Sequence, residues 1–216
     1  MTFEYILSNR KKLPTNIYGL KWKPSLEPDI SDDADWVGHP WQEIPRHFTE
    51  LDHKVLSDAF QSTVNPKLIL EIGVNRSEAY EVSSTSTLIK IKPKTCGYLG
   101  VDIEDKSFID DPENKVYTVK SNSAYKDRIF EIIDILCGKG SKIDFMFVDG
   151  WHSVNQVLKE WEYWDRMSEK GIMGFHDINC HPGPVAVLDA VDPELFSVDY
   201  YGRGEHDWGI GVIKRR

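Results

Sequence analysis

From Lys67 onward, apolar runs of strand length alternate with stretches of helical period, and this alternation restricts the fold more than any other feature. "KLILEIG", "GYLGVDIED", "KVYTVK", "IDFMFVDG" and "IMGFHD" each read as a short buried strand. Between them, "AYKDRIFEIIDILCGKG" sets Ile129, Ile132, Ile133 and Leu136 on one helical face, with Gly138 placed to stop the helix. "SVNQVLKEWEYWDRMSEKG" likewise turns Val154, Val157, Leu158, Trp161 and Trp164 toward a sheet, which makes both tryptophans core residues. "VAVLDAV" predicts a short helix, "LFSVDY" and "WGIGVIK" a terminal pair of strands. A further helix is expected from about Thr49 to Gln61, with Leu51, Val55, Leu56 and Ala59 near one face. Strands that alternate with helices imply βαβ units, hence an α/β fold with a mostly parallel sheet covered on both faces.

In such a sheet the ligand sits beyond the carboxyl ends of the strands, near the point where strand order reverses. Here those ends read Glu71-Ile72-Gly73, Asp102, Ser121-Asn122-Ser123, Asp149-Gly150-Trp151-His152 and His176-Asp177. One aspartate after a strand is ordinary turn chemistry, but aligned polar endings on five successive strands indicate a site. A glycine directly after the first strand lets the backbone approach a ligand closely. The dinucleotide fingerprint G-x-G-x-x-G is missing, because Val-Asn-Arg-Ser-Glu follows Gly73. Asp102 either holds two ribose hydroxyls or is a solvated acid in an acidic turn.

Ser153 followed by Gln156 fits a capping box and starts the next helix at Ser153. The cap leaves Asp149 and His152 unexplained in the strand-to-helix turn. Asp177 ends the neighbouring strand, so Asp149 and Asp177 are expected to approach each other. Two carboxylates that close repel unless a cation joins them or one is protonated. Oxygen ligands suit Mg²⁺, and Mn²⁺ as well if an imidazole takes part. His176 is either that imidazole or a hydrogen-bonded core residue. His181, in "HPGP", reads as a loop residue at the rim.

The net charge of -9 over 216 residues excludes a nucleic-acid backbone as the expected partner, since phosphate binding wants a basic surface. No segment approaches ~18 apolar residues, and the start of the chain lacks a signal-peptide run, so a cytoplasmic protein without a membrane partner is expected. Cys96, Cys137 and Cys180 are odd in number and widely spaced, which predicts buried free thiols. Residues 1 to about 48 carry many Pro, Trp and Asp residues with little periodicity, and read as an irregular arm or cap on a domain spanning 49–216. Trp36 and Trp41 there either anchor the arm, line a pocket or make a subunit contact, the last giving a homo-oligomer.

"LILEIGV", "YLGVDI", "IDFMFVDGWHS", "GIMGFHDI" and "DWGIGVIK" together resemble the class I S-adenosylmethionine-dependent methyltransferases. More narrowly, they resemble the metal-dependent group of macrolide-sugar O-methyltransferases and cephalosporin-hydroxylase-like proteins. The similarity spans about residues 66 to 214. It implies a Rossmann-like three-layer α/β/α sandwich with a seven-stranded sheet whose last strand is antiparallel. It also implies roles: Glu71 and Gly73 on the methionine side of the cofactor, Asp102 on the ribose, Ser121 and Asn122 near the adenine. Asp149 would border the cofactor and, with Asp177 and His176, hold Mg²⁺ or Mn²⁺, while His152 would be the general base. The chain departs from the family at Asn75 and Arg76, where small residues are usual, at Asn122, where an Asp is frequent, and at His176-Asp177, where the sugar enzymes carry two acids.

The chemistry fits those parts. A divalent cation lowers the pKa of an alcohol, and an imidazole with an ordinary pKa near ~6.5 accepts its proton. In-line transfer then requires the oxygen about 3 Å from the sulfonium methyl, a problem of positioning. A small molecule with adjacent hydroxyls, such as a sugar or catechol, is the expected substrate. Two other classes fit the same residues: a Rossmann-like binding or accessory protein without catalysis, and a metal-dependent hydrolase using the Asp/His cluster.

Overall fold

The structure, a computed structural model, describes residues 17–21, 48–75, 82–179, 181–204 and 207–216. Trp36, Trp41, Arg76, Cys180 and most of the N-terminal arm lie outside the described residues. The elements, in order, are α1 (Glu50–Gln61), β1 (Leu68–Ile72), α2 (Ser84–Ile91), β2 (Gly97–Asp102), β3 (Val116–Lys120), α3 (Lys126–Cys137), β4 (Ile143–Val148), α4 (Val154–Trp161), β5 (Met167–His176), α5 (Pro182–Ala190), β6 (Phe196–Tyr201) and β7 (Ile210–Arg215).

The strands form one seven-stranded sheet in the order β3-β2-β1-β4-β5-β7-β6, parallel except for β7, which runs antiparallel to both β5 and β6. Strand order reverses between β1 and β4. The register brings the carboxyl ends level: Ile72 pairs with Val101 and Val148, Val101 with Val119, and Val148 with Phe175. The side-chain period of two then divides the core between the faces of the sheet. Leu68, Leu70 and Ile72 pack with Met146, Val148, Ile129, Ile133, Trp161 and Trp164 under α3, α4 and α5, whereas Ile69, Phe145 and Phe147 pack with Val55, Leu56, Phe60 and Leu88 under α1 and α2. This is the expected three-layer sandwich. Among the described residues no helix is long and apolar enough to cross a membrane.

Several local expectations need correction. Val55 and Leu56 are buried and Ala59 packs against the core as expected, but Leu51 is exposed, and Asp52 and Phe60 complete the buried face of α1. On α3, Ile129 and Ile133 are fully buried and Ile132 is partly buried, but Leu136 is exposed. The helix expected through Gly171 ends at Trp161, passes through a 3-10 turn at Glu162–Asp165, and gives way to β5 at Met167. The guanidinium of Arg215 donates to the carbonyls of Trp164 and Ser168, which satisfies backbone groups that a longer helix would have used itself. Cys96 is buried as expected, but Cys137, at the end of α3, is exposed. Helix α5 starts earlier than "VAVLDAV", at Pro182, a residue suited to a first helical turn because its missing N–H is not needed there.

Candidate active site

A cleft of about 1180 Å³ opens at the carboxyl ends of the strands, over the point where strand order reverses. Gly73, Asp102, Ser121, Asn122, Asp149, His152, His176 and Asp177 all line it. Glu71 does not. It lies on the Ile69 face of β1, opposite Leu70 and Ile72, so its carboxylate points under α2, where it accepts hydrogen bonds from Ser84 Oγ (2.5 Å), Thr85 Oγ1 (2.8 Å) and the hydroxyl of Tyr98. Burial pushes its pKa up to about 7 against those three donors, which favour the charged form.

The loop after β1 depends on Gly73, which has φ +82° and leaves no room for a Cβ against the backbone carbonyl of Asp149. Asp149 N in turn donates to Ile72 O at 2.8 Å, so the β1 and β4 tips are tied together below the cleft. Across the loop, Asp102 Oδ2 accepts from Val74 N and Asp102 Oδ1 from Glu104 N, both at 2.8 Å. Each carboxylate oxygen retains a second lone pair, so Asp102 anchors the loop and still offers acceptors to the cleft. Asn75 is buried, and neither atom of its carboxamide has a hydrogen-bond partner. An orphaned buried amide at a cleft wall is costly unless a ligand meets it.

On the other side of the reversal point, three ring nitrogens and two carboxylates converge. His176 Nδ1 lies 3.0 Å from Asp177 Oδ1 and 3.3 Å from Asp149 Oδ1. His152 Nε2 lies 3.2 Å from Asp177 Oδ2 and 3.7 Å from Asp149 Oδ1. His181 Nε2 is 3.9 Å from Asp177 Oδ2, so this residue, read from sequence as part of a rim loop, belongs to the cluster. Asp177 thus divides its two oxygens between His176 on one side and His152 and His181 on the other. Its backbone has φ 60°, a left-handed conformation that Asp tolerates better than most residues and that costs on the order of 1 kcal/mol or more. Burial would raise both acids, but the positive charge of His176, joined by His152, holds both carboxyls below the usual carboxylate range. Burial likewise opposes a charged His176, yet Asp177 and Asp149 hold its pKa well above the ordinary value.

The cluster therefore demands positive charge between two acids. Protonated His176 meets that demand, and a divalent cation would meet it with Asp149, Asp177 and a deprotonated Nδ1 of His176 as ligands. The three donor atoms lie within 4.8 Å of one another, and the mixed O/N set suits Mg²⁺ or Mn²⁺.

The His152 turn is held by α5. Gly183 N donates to His152 O at 2.8 Å, and a Cβ at Gly183 would come within 2.5 Å of that oxygen. The His152 ring packs on His181 with centroids 4.4 Å apart, and His181 on Trp208, at 6.1 Å. Trp208 belongs to the segment leading into β7, so the antiparallel strand completes one wall. Ser153 caps α4 through Gln156 N at 3.3 Å, as expected. The reciprocal half of the capping box is absent: Gln156 Nε2 instead donates to Ser123 Oγ (2.7 Å), Glu160 Oε1 (3.0 Å) and Asn122 Oδ1 (3.3 Å). Gln156 and fully buried Glu160, whose pKa burial pushes up to about 7, thus brace the Ser121–Ser123 turn. Sequence reasoning missed both. Gln156 was consumed by the cap pattern, and Glu160 carried no signal beyond an acid at a helical position facing inward.

No protein-family model matches the chain, and no curated protein matches it. Solved structures do. The MycE methyltransferase of mycinamycin biosynthesis, in complex with Mg and SAH, superposes with a TM-score of 0.57 at 14% identity over 75% of this chain and 49% of that one. The chain thus spans about half the length of MycE. A putative O-methyltransferase from Klebsiella pneumoniae gives 0.55 at 15% identity, over 80% of this chain and 84% of that one. CalS11, a TDP-rhamnose 3'-O-methyltransferase of calicheamicin biosynthesis, gives 0.54 at 9% identity, over 76% and 78%. The likeness is one of fold.

Proposed function

With the fold established as that of class I methyltransferases, we propose that the protein is an S-adenosylmethionine-dependent, divalent-metal-assisted O-methyltransferase acting on a hydroxyl of a small molecule, a sugar being the favoured class. The observation that carries this reading is the convergence of His152, Asp149 and Asp177 in the same cleft as Gly73 and Asp102, with His152 Nε2 at 3.2 Å and 3.7 Å from the two acids. MycE, solved with Mg, SAH and mycinamycin VI, and CalS11 support the cofactor, the metal and the substrate class by analogy of fold.

When bound, S-adenosylmethionine supplies an electrophilic methyl group, and Mg²⁺ or Mn²⁺ lowers the pKa of the accepting alcohol. The chain's own residues do the rest. Gly73 brings the β1 loop against the cofactor, the free lone pairs of Asp102 accept from the ribose hydroxyls, and Asn75 pairs its orphaned amide with the amino-acid end. Ser121 and Asn122, braced by Gln156, flank the adenine. Asp149, Asp177 and His176 Nδ1 hold the cation. His152 Nε2 takes the hydroxyl proton, and the carboxylates of Asp177 and Asp149 stabilise the imidazolium that results. The aromatic wall of Trp208 and the exposed Trp151 at the lip give the substrate apolar faces to stack on.

Calorimetric titration with S-adenosylmethionine, followed by methyl transfer to a panel of sugar and catechol acceptors with and without chelator, tests the proposal. Binding, and turnover that chelator abolishes and added Mg²⁺ or Mn²⁺ restores, are expected. Absence of cofactor binding would overturn it in favour of an accessory protein, and metal binding without cofactor binding in favour of a hydrolase.

A further inference from the structure

His176 has two ring nitrogens in different surroundings. Nδ1 faces the two acids of the cluster, at 3.0 Å and 3.3 Å. Nε2 is buried on the far side of the ring and makes no hydrogen bond. The group that faces it is the carboxylate of Asp52, with Oδ2 at 3.7 Å. Asp52 is itself buried, at 3% exposure, on the first turn of α1. Its Oδ2 accepts from Thr49 N at 2.8 Å and from Thr49 Oγ1 at 2.7 Å, which holds the carboxylate still. Phe48, just ahead of that cap, lays its ring 5.2 Å from the imidazole of His176, and Phe147 packs at 6.2 Å. The ring is therefore clamped by aromatic contacts with one edge toward the acid pair and the other toward Asp52.

An imidazole that binds a cation through Nδ1 must carry its proton on Nε2, and a buried N–H needs an acceptor. We propose that Asp52 is a positioning residue that fixes His176 as the Nε2–H tautomer, so that Nδ1 ligates the cation held by Asp149 and Asp177. The inference rests on the metal-assisted reading above and deepens it. It adds α1 to the site: the carboxylate that caps this helix also sets the orientation and basicity of a metal ligand on the far end of β5. At 3.7 Å the pair is beyond hydrogen-bond length, and Oδ2 already accepts from Thr49 N and Thr49 Oγ1, so the bond to Nε2–H requires a shift of roughly 0.5 Å and takes the place of the Thr49 Oγ1 contact.

Mn²⁺ is the probe, because its paramagnetism reports both affinity and the nuclei of its ligands. Protein labelled with ¹⁵N at histidine Nδ1 is expected to show a directly coordinated ¹⁵N in the electron spin-echo spectrum of bound Mn²⁺, and His176→Gln to lose it. Asp52→Asn is expected to weaken Mn²⁺ binding roughly 10–100-fold, the usual cost of removing a carboxylate behind a ligating histidine. Thr49→Val removes the Oγ1 cap of α1 but keeps the backbone N–H of residue 49 on Asp52 Oδ2, so it is expected to lower the melting temperature while leaving Mn²⁺ affinity unchanged. Wild-type affinity in folded Asp52→Asn, a matching loss in Thr49→Val, or Mn²⁺ bound without a coordinated Nδ1 would each overturn the proposal. The labelled wild-type protein decides by itself if Asp52→Asn does not fold. S-adenosylmethionine titration on the same samples separates the two readings: cofactor binding with no nitrogen ligand removes this inference alone, and a nitrogen ligand without cofactor binding removes the methyltransferase alone.

Discussion

A Cβ on Gly73 would fall 2.0 Å from the backbone carbonyl oxygen of Asp149, so the tips of β1 and β4 meet closely where strand order reverses. This contact sets the floor of the cleft and ties the loop after β1 to Asp149.

Gly73→Ala therefore meets two penalties, a clash with backbone and a φ of +82° that a Cβ disfavours. The left-handed strain alone costs on the order of 1–3 kcal/mol. A loss of at least that size in urea denaturation is expected, with S-adenosylmethionine binding weakened more than tenfold in protein that still folds.

His152→Ala removes a ring that packs on His181 and faces Asp177, while leaving the backbone contact from Gly183 to His152 O intact. The variant is expected to keep its circular dichroism spectrum and cofactor affinity. Its kcat should fall by about 10²–10⁴, the range of a lost general base. A drop in cofactor affinity with unchanged kcat would assign His152 to binding instead.

Glu71 and Glu160 predict a pH dependence of stability. Burial pushes both carboxyls up to about 7, from an ordinary value of 4.5. A raised folded pKa means that the folded protein binds the proton more tightly than the unfolded chain does. The stabilisation is thus fully present below about pH 4.5 and is lost as pH rises through about 7. Each group accounts for about 3 kcal/mol across that window. Glu71→Gln mimics the protonated acid, so the stability of wild type relative to Glu71→Gln is expected to decline over this range and level off above it, measured by denaturant titration at a series of pH values.

Gln156→Ala leaves Glu160 Oε1, Ser123 Oγ and Asn122 Oδ1 without the amide that bridges them. Buried groups that lose a partner cost about 1–3 kcal/mol. A lower melting temperature and roughly tenfold weaker S-adenosylmethionine binding are expected, with the metal affinity unchanged, because none of the three acceptors belongs to the acid cluster.

How much of this could be read from the chain depends on how far each contact reaches. The strands, most helices, and Gly73, Asp102, Asp149, His152 and Asp177 at their ends were legible, because an apolar run followed by a polar residue is a local pattern. Parallel order then places Asp149 beside Asp177 without further information. Asp52 was not legible. Apolar periodicity puts Leu51 on the inner face of α1, and only packing against Phe147 and His176 shows that an acid, Asp52, is buried there instead. Gln156 was masked by a valid local explanation, the cap at Ser153. The strand from Met167 reads as helix in sequence because polar "SEKG" has no strand period, and it is held by Arg215 from the far end of the chain.

The sequence by itself determined the α/β layering and the set of polar residues at the strand tips, since hydrophobic period and strand termination are properties of neighbours along the chain. The tertiary structure decided which of those residues meet. It turned Glu71 away from the cleft, drew His181 and Trp208 into the wall by inserting β7 between β5 and β6, and set Asp52 behind His176. Such choices follow from the packing of side chains distant in sequence, where burial and charge compensation, rather than local pattern, select the partner.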